Sequence, residues 1–326
     1  MLPAFAYIRP AHLQDAVARL AEGGAEVHAG GTDLLGCLRD EVYTVDTLVS
    51  LSAVQGLSGV RETGDGGLVI GAMTRIADVA ANPRIRAAYA GLAQAAAEVG
   101  SPQLRSQGTL GGNLCQKPRC WYYRGDFHCL RKGGYKCFAV TGENEYHCIL
   151  GGANCFIVHP SDTAPALVSL DAEVKIAGPD GGRRLPVADL HVPPAENPRR
   201  ETRLEPGEVI VEVILPGPAA GLRSSYRKVR TRRSWDFAVA GCALALAMDG
   251  DQVRDCRVVL SGAAPVPWRS KEAEEALRGR SLDDATIRAA AKAAVAEARP
   301  MSNNAYKVPL FEGMLEEELR KAADAA

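Results

Sequence analysis

Aromatic residues are scarce in this chain. Six Phe, nine Tyr and three Trp make up 6% of 326 residues, too few for a surface on which bases stack. Neither sign of charge dominates. The 38 Lys and Arg against 39 Asp and Glu leave a net charge of −1, so there is no basic footprint for a nucleic acid. No apolar run reaches the ~18 residues of a membrane span. Met1-Leu2-Pro3-Ala4-Phe5 is not a charged segment leading into an apolar core. No secretory signal is therefore expected, and the cytoplasm is the expected location, with export beside a signal-bearing partner as the alternative. There is no GxGxxG opening a long helix and no GxxxxGK[ST], which argues against an ordinary Rossmann or P-loop enzyme. Nine cysteines are present, yet none form the paired CxxC knuckles of zinc ribbons or the C-x2-C-x2-C run of ferredoxins.

What remains is an ordinary globular composition, 47% apolar and 24% charged, long enough for two or three subdomains. Residues 1–57 read as an α/β unit. A strand at Tyr7-Ile8 stops at Pro10. A helix follows with Leu13, Ala16, Val17 and Leu20 on one face, then strands at 27–29 and 47–51. This order predicts parallel pairing. Residues 58–218 form a second unit. They hold a strand pair around the turn Gly64-Asp65-Gly66-Gly67, its second strand at 68–71, a helix over 75–81 with Thr74 as its cap, and an Ala-rich helix over 85–99. Residues 101–160 lack periodicity, and a loop this long inside a domain is usually functional. Order returns with a helix over 163–170, capped by Ser161 or Asp162, and with strands at 173–176 and 208–215. Residues 219–326 read as three strands, 223–229, 239–248 and 253–260, followed by helices near 269–278, 283–298 and 303–324. The expected class is α+β: two α/β subdomains, then a three-stranded sheet with a helical layer.

Two double-glycine turns and one cysteine loop carry the chemistry. Val27-His28-Ala29-Gly30-Gly31-Thr32-Asp33-Leu34 is a strand running into a turn whose amides can form an anion nest. Thr32 adds a hydroxyl, and the Asp33 carboxylate can accept from a sugar hydroxyl or cap the backbone. Thr109-Leu110-Gly111-Gly112-Asn113 is a second such turn, and together the two point to a shared pyrophosphate site. Either could also be a tight turn with a side-chain cap. Six cysteines follow within residues 108–162: Cys115, Cys120, Cys129, Cys137, Cys148 and Cys155. From Cys120 the spacing C-x8-C-x7-C-x17-C suits four thiolates reaching in from separate turns. A structural zinc, a disulfide pair or free thiols are the alternatives, with His128, His147 and His159 available to zinc. Arg119, Arg124, Arg131, Lys132 and Lys136 share the segment and are expected to favour thiolates. Cys37, Cys242 and Cys256 stand apart and read as core thiols.

The order of Ala29-Gly30-Gly31-Thr32-Asp33-Leu34-Leu35, Gly108-Thr109-Leu110-Gly111-Gly112-Asn113-Leu114, Ser161-Asp162-Thr163-Ala164-Pro165-Ala166-Leu167 and Tyr226-Arg227-Lys228-Val229-Arg230 resembles the FAD-binding medium subunits of molybdenum hydroxylases, the xanthine dehydrogenase family. The cysteine loop, placed at 115–158, resembles that of members with an added [4Fe-4S] cluster, found in the periplasmic aldehyde oxidoreductase branch and in 4-hydroxybenzoyl-CoA reductase. The resemblance implies Cys120, Cys129, Cys137 and Cys155 as cluster ligands, with Cys148 an extra thiol. It implies that both glycine turns hold the FAD pyrophosphate and adjoining hydroxyls, that Asp162 bonds a flavin-side hydroxyl, and that Ile210 and Lys228 line the ring or adjacent chain. It further implies a large molybdenum-cofactor partner, a small partner with two [2Fe-2S] clusters, and an external electron acceptor. The rival readings are a stand-alone FAD oxidoreductase with a structural zinc loop and a zinc-stabilised scaffold.

Overall fold

The computed structural model describes residues 1–324 and builds them around three sheets. The first is parallel: Ala6–Ile8 and Ala25–His28 flank Thr47–Ser50. Parallel neighbours need a crossover. Helix Leu13–Ala21 links the two flanking strands, burying Ala16, Val17 and Leu20 at helical spacing. Thr47–Ser50 is buried along its whole length, as suits a central parallel strand covered on both faces.

The second sheet is antiparallel, in the order Val60–Glu62, Leu68–Gly71, Val209–Leu215, Glu173–Gly178, Gly181–Pro186. Ile70 and Val213 share a core with Leu92 and Leu167 from the helices Ala90–Glu98 and Thr163–Ser169. Two expectations fail here. The Ala-rich helix is two helices, Pro83–Ala88 and Ala90–Glu98, parted at Tyr89 with φ −137° and ψ 56°. The buried Tyr89 sends its hydroxyl to the Pro216 carbonyl at 2.5 Å. Thr74 caps nothing: its oxygen accepts from Gly59 N at 2.9 Å, and the helix starts at Ile76. The strand pair around the turn at 64–67 is present, as Val60–Glu62 and Leu68–Gly71, whereas the edge strand Gly181–Pro186 went unread because its mostly exposed residues show no alternation.

The third sheet has four strands rather than three. Leu222–Val229, Ala240–Asp249 and Gln252–Ser261 form an antiparallel meander. Trp268–Arg269 adds a two-residue edge, too short to carry a period. Strand alternation splits this sheet between two cores. Ala243, Ala245 and Val259 join the core of the second sheet. Cys242, Leu244 and Val258 meet Ile287 and Phe311 from the helices Asp284–Ala294 and Lys307–Asp324.

Between helices Leu110–Leu114 and Thr163–Ser169 the chain forms only the short helix Trp121–Arg124 and the 3-10 turns Leu130–Lys132 and Phe138–Val140. Polar side chains dock this loop onto the C-terminal region. Asn144 Nδ2 donates to Ala139 O at 3.0 Å and Ser302 Oγ at 2.9 Å. Asn304 Nδ2 donates to Cys148 O at 3.2 Å, and the buried Lys307 Nζ to Tyr146 O at 3.2 Å. Among the described residues no helix is long and apolar enough to cross a membrane.

Candidate functional site

The strand Ala25–His28 leaves the parallel sheet directly into the first glycine turn. Gly31 sits at φ +71°, where a side chain is strained. Gly30 approaches the chain before the second turn so closely that a Cβ would stand 2.3 Å from Gln107 O. The two turns therefore meet through bare backbone. Thr109 Oγ1 caps Leu110–Leu114 by accepting from Gly112 N at 3.2 Å. Asn113 Oδ1 accepts from Ser161 Oγ at 2.5 Å and Thr163 Oγ1 at 2.7 Å, which fixes the second turn to the segment carrying Asp162. Ser161 Oγ in turn accepts from Ala164 N at 3.0 Å. Ser161 is thus a cap of that helix, and Asp162 makes no side-chain cap bond.

These segments enclose a cavity of about 1210 Å³, larger than an ordinary small-ligand pocket. Its walls include Val27, residues 29–34, Thr109, Gly111, Gly112, Asn113, Asp162 and Ile210. Three expected residues are not in its walls. Alternation puts His28 on the opposite strand face, edge-on to Tyr7 with ring centroids 5.7 Å apart. Leu110 is buried in the core. Lys228 stands behind Asp162, with Nζ 2.8 Å from Asp162 Oδ2 and 3.1 Å from Glu98 O. Tyr226 donates to Asp162 Oδ1 at 2.7 Å. Burial raises the Asp162 pKa, while Lys228 and Tyr226 pull it down.

Asp33 faces the cysteine loop. Its Oδ2 accepts from Lys117 N at 2.7 Å, and its Oδ1 lies 2.7 Å from a nitrogen of both Arg119 and Arg124. Sequence reading missed these partners. It also missed Glu201, Trp235 and Phe237 on the cavity wall. Trp235 has φ +54°, and Phe237 lies 4.8 Å from the Arg119 guanidinium. Each owes its place to distant chain segments and has no local pattern.

Cys120, Cys129, Cys137 and Cys155 line one small second cavity with His147 and Arg131. Cys148 is buried and is not in that wall, and Cys115 lines the large cavity. His128 and His159 are not in the second cavity's wall. His159 lies against His191, ring centroids 4.1 Å apart. Among the described residues no three His, Cys, Asp or Glu side chains form a group able to hold a metal ion. The expected cationic activation of the thiols is largely not there. Burial pushes the Cys120 thiol up to about 12, against a smaller opposing pull from the backbone of Tyr123 and Tyr122. Burial also raises Cys137, opposed by the backbone of Phe156 and Ala139. Arg119 and Arg124 are engaged by Asp33, and Lys132 donates to Gly125 O at 2.7 Å. Lys136 lies 4.8 Å from the Phe138 ring centroid. Arg131 alone of the five shares the cysteine cavity. His147 Nε2 is 3.3 Å from Cys120 Sγ, and burial, then Lys307, lower its pKa to about 4.

Two backbone turns and a buried carboxylate around so large a cavity define a protein that holds an extended nucleotide cofactor between subdomains. Residues 3–218 match the FAD binding domain in molybdopterin dehydrogenase, and residues 224–322 the CO dehydrogenase flavoprotein C-terminal domain. The chain is 38% identical over 304 residues to the aldehyde oxidoreductase FAD-binding subunit PaoB of Escherichia coli, covering 92% of each. It is 28% identical to the carbon monoxide dehydrogenase medium chain of Hydrogenophaga pseudoflava, covering 99% of this chain and 97% of that one. Among solved structures it matches a chain of the reconstituted CO dehydrogenase from Oligotropha carboxidovorans with a TM-score of 0.80, at 25% identity and full coverage of both. The chain belongs to the FAD-binding medium subunits of the molybdenum hydroxylases. FAD is its cofactor, and it is the flavoprotein subunit of an oxidoreductase.

Proposed function

We propose that this subunit is of the aldehyde oxidoreductase type and carries a [4Fe-4S] cluster as well as FAD. In this reading a large partner holds the molybdenum cofactor where the organic substrate reacts. A small partner carries two [2Fe-2S] clusters, and electrons leave through FAD to an external acceptor. A flavin accepts one or two electrons and so joins one-electron clusters to a two-electron acceptor, while the protein supplies binding and electrostatics. The assignment of aldehyde oxidoreductase type follows from PaoB, named as the FAD-binding subunit of such an enzyme.

The observation that carries the cluster is the convergence of Cys120, Cys129, Cys137 and Cys155 on one cavity. Four cysteine thiolates are the donor set of such clusters. The backbone beside Cys120 and Cys137 favours the charged sulfurs, as does a buried guanidinium at Arg131. For FAD, the two glycine turns would hold the pyrophosphate through amides. Asp162, fixed by Tyr226 and Lys228, would accept from a flavin-side hydroxyl, and Ile210 would give an apolar wall. Lys228 acts through Asp162 in this scheme.

Metal and flavin analysis of the purified chain tests the reading. About four irons and one FAD per chain are expected. One zinc with flavin and no iron would overturn the cluster in favour of a zinc-loop flavoprotein. Zinc without flavin would point to a scaffold.

A further inference from the structure

The two cavities are joined by a chain of charges outside both glycine turns. Lys117 and Glu201 line the large cavity, and Arg131 lines the cysteine cavity. Glu201 reaches both sides. Its Oε2 lies 2.6 Å from Lys117 Nζ, and its Oε1 lies 2.7 Å from an Arg131 nitrogen. The bridge His191–Thr202 and the bond from Val192 N to Glu201 O at 3.0 Å hold Glu201 in place. The Arg131 side chain is only 2% exposed. Its Nε is buried with no hydrogen-bond partner among the described residues. An unpartnered buried N–H is expensive, and this one belongs to a side chain lining the space shared by four cysteines.

We propose that Arg131 is a positioning residue that sets the reduction potential of the cysteine-held cluster, and that Glu201 couples its charge to the flavin cavity through Lys117. This rests on the cluster reading above. A thiolate-ligated cluster becomes more negative when it takes up an electron. A fixed cation lining the same cavity would stabilise the reduced form and raise the potential, since hydrogen bonds and net charge near the sulfurs set that quantity. Glu201 opposes Arg131, so it lowers the potential while holding the guanidinium in register. The sequence separation of 70 between Arg131 and Glu201 places the control of the cluster in a polar loop with no cysteine.

The test is a redox titration of the iron–sulfur signal, followed by electron paramagnetic resonance on the purified full chain, with iron and flavin counted in every sample. Arg131→Gln is expected to keep its iron and to shift the cluster to lower potential. The shift should change the reduced-to-oxidised ratio at fixed potential about tenfold, or ~59 mV for one electron. Arg131→Lys, which keeps the charge but not the fork, should restore part of it. Glu201→Gln should move the potential the opposite way. Opposite signs cannot come from a merely structural role, which would loosen the site in both variants alike. An iron-replete Arg131→Gln with the parent potential overturns the proposal, as do shifts of the same sign in both variants. If Arg131→Gln loses its iron, Glu201→Gln decides: a rise supports the proposal, and no change or a fall overturns it. A parent chain that holds zinc and no iron removes the cluster reading itself, and iron analysis separates that result from a failure of the charge bridge.

Discussion

The flavin cavity and the cysteine cavity share a wall of ion pairs, yet they are built from different parts of the chain. Around the flavin cavity the two glycine turns present backbone, and Gly30 and Gly31 matter because they lack side chains. Around the cysteine cavity almost everything is side chain. Four thiols, His147 and Arg131 line it, in a loop with a single four-residue helix and two 3-10 turns. The first site is rigid because sheets and helices fix its turns. The second holds its shape through polar anchors such as Asn144, Asn304 and Lys307. A backbone site fails through steric intrusion, whereas a side-chain site fails through loss of one ligand or one charge.

The largest separation of the two should come from cysteine substitution. Cys120→Ser is expected to lose its iron while keeping FAD, because a ligand is gone and the glycine turns are untouched. Cys148→Ser should keep both, since Cys148 does not line the cysteine cavity. Iron and flavin counts per chain check this. Equal iron loss from both variants would mean that the ligand set is wrong. The converse variant is Gly30→Ala, whose Cβ would stand 2.3 Å from Gln107 O and 2.9 Å from Gly108 Cα. Neither neighbour can swing away as a side chain would. A cost of about 3 kcal/mol is expected from such overpacking, with loss of most bound FAD and retention of iron. Flavin retained at the parent level would break the view that the two turns must touch.

Asp33 belongs to both regions and should show an intermediate effect. It stands in the first glycine turn, but its carboxylate receives Lys117 N, Arg119 and Arg124 from the start of the cysteine loop. Asp33→Asn removes the charge and keeps the shape. Charge-assisted hydrogen bonds of this kind contribute about 2 kcal/mol, less where Arg119 is open to solvent. Flavin and iron should both become easier to strip, in parallel, as read by their release in mild denaturant. Release of one alone would show that the two regions are not coupled through this carboxylate.

How much of this was legible in the sequence follows the same division. The amphipathic helix at Leu13–Ala21 and the strands at Leu68–Gly71 and Val209–Leu215 carry their periods openly. The glycine turns are visible because only glycine satisfies a positive φ or a backbone approach at those points. The edges Gly181–Pro186 and Trp268–Arg269 carry no period. The break at Tyr89 depends on a hydroxyl bond to Pro216, distant in sequence. In the cysteine loop the residue types were readable but not their use. The nearby arginines and lysines looked like thiol activators, whereas four of the five have other partners. Glu201 lies in a polar loop with nothing local to mark it, and its pairings with Lys117 and Arg131 exist only after folding.

The last expected effect is absent at neutral pH and emerges only in acid, and it tests whether the helix before the cysteine loop is a weak point for both regions. His191 Nε2 is 3.0 Å from Leu114 O at the end of the helix that follows the second glycine turn. Its ring lies against His159, just before Ser161 and Asp162. Burial lowers His191 to about 4, while its bond to the Leu114 carbonyl pulls upward. Burial, then His191, lowers His159 well below the usual range. With a folded pKa below the unfolded value, each histidine favours the unfolded state as that state takes up its proton. Their contribution to stability is complete above the unfolded pKa of about 6.5 and falls as pH drops towards 4. For His191 the loss approaches about 3 kcal/mol at the bottom of that window. His191→Gln removes this proton uptake and keeps a donor for Leu114 O. Chemical denaturation at pH 7 and pH 5 should show a smaller acid loss in the variant than in the parent. An identical loss would mean that acid enters through the cysteine loop instead.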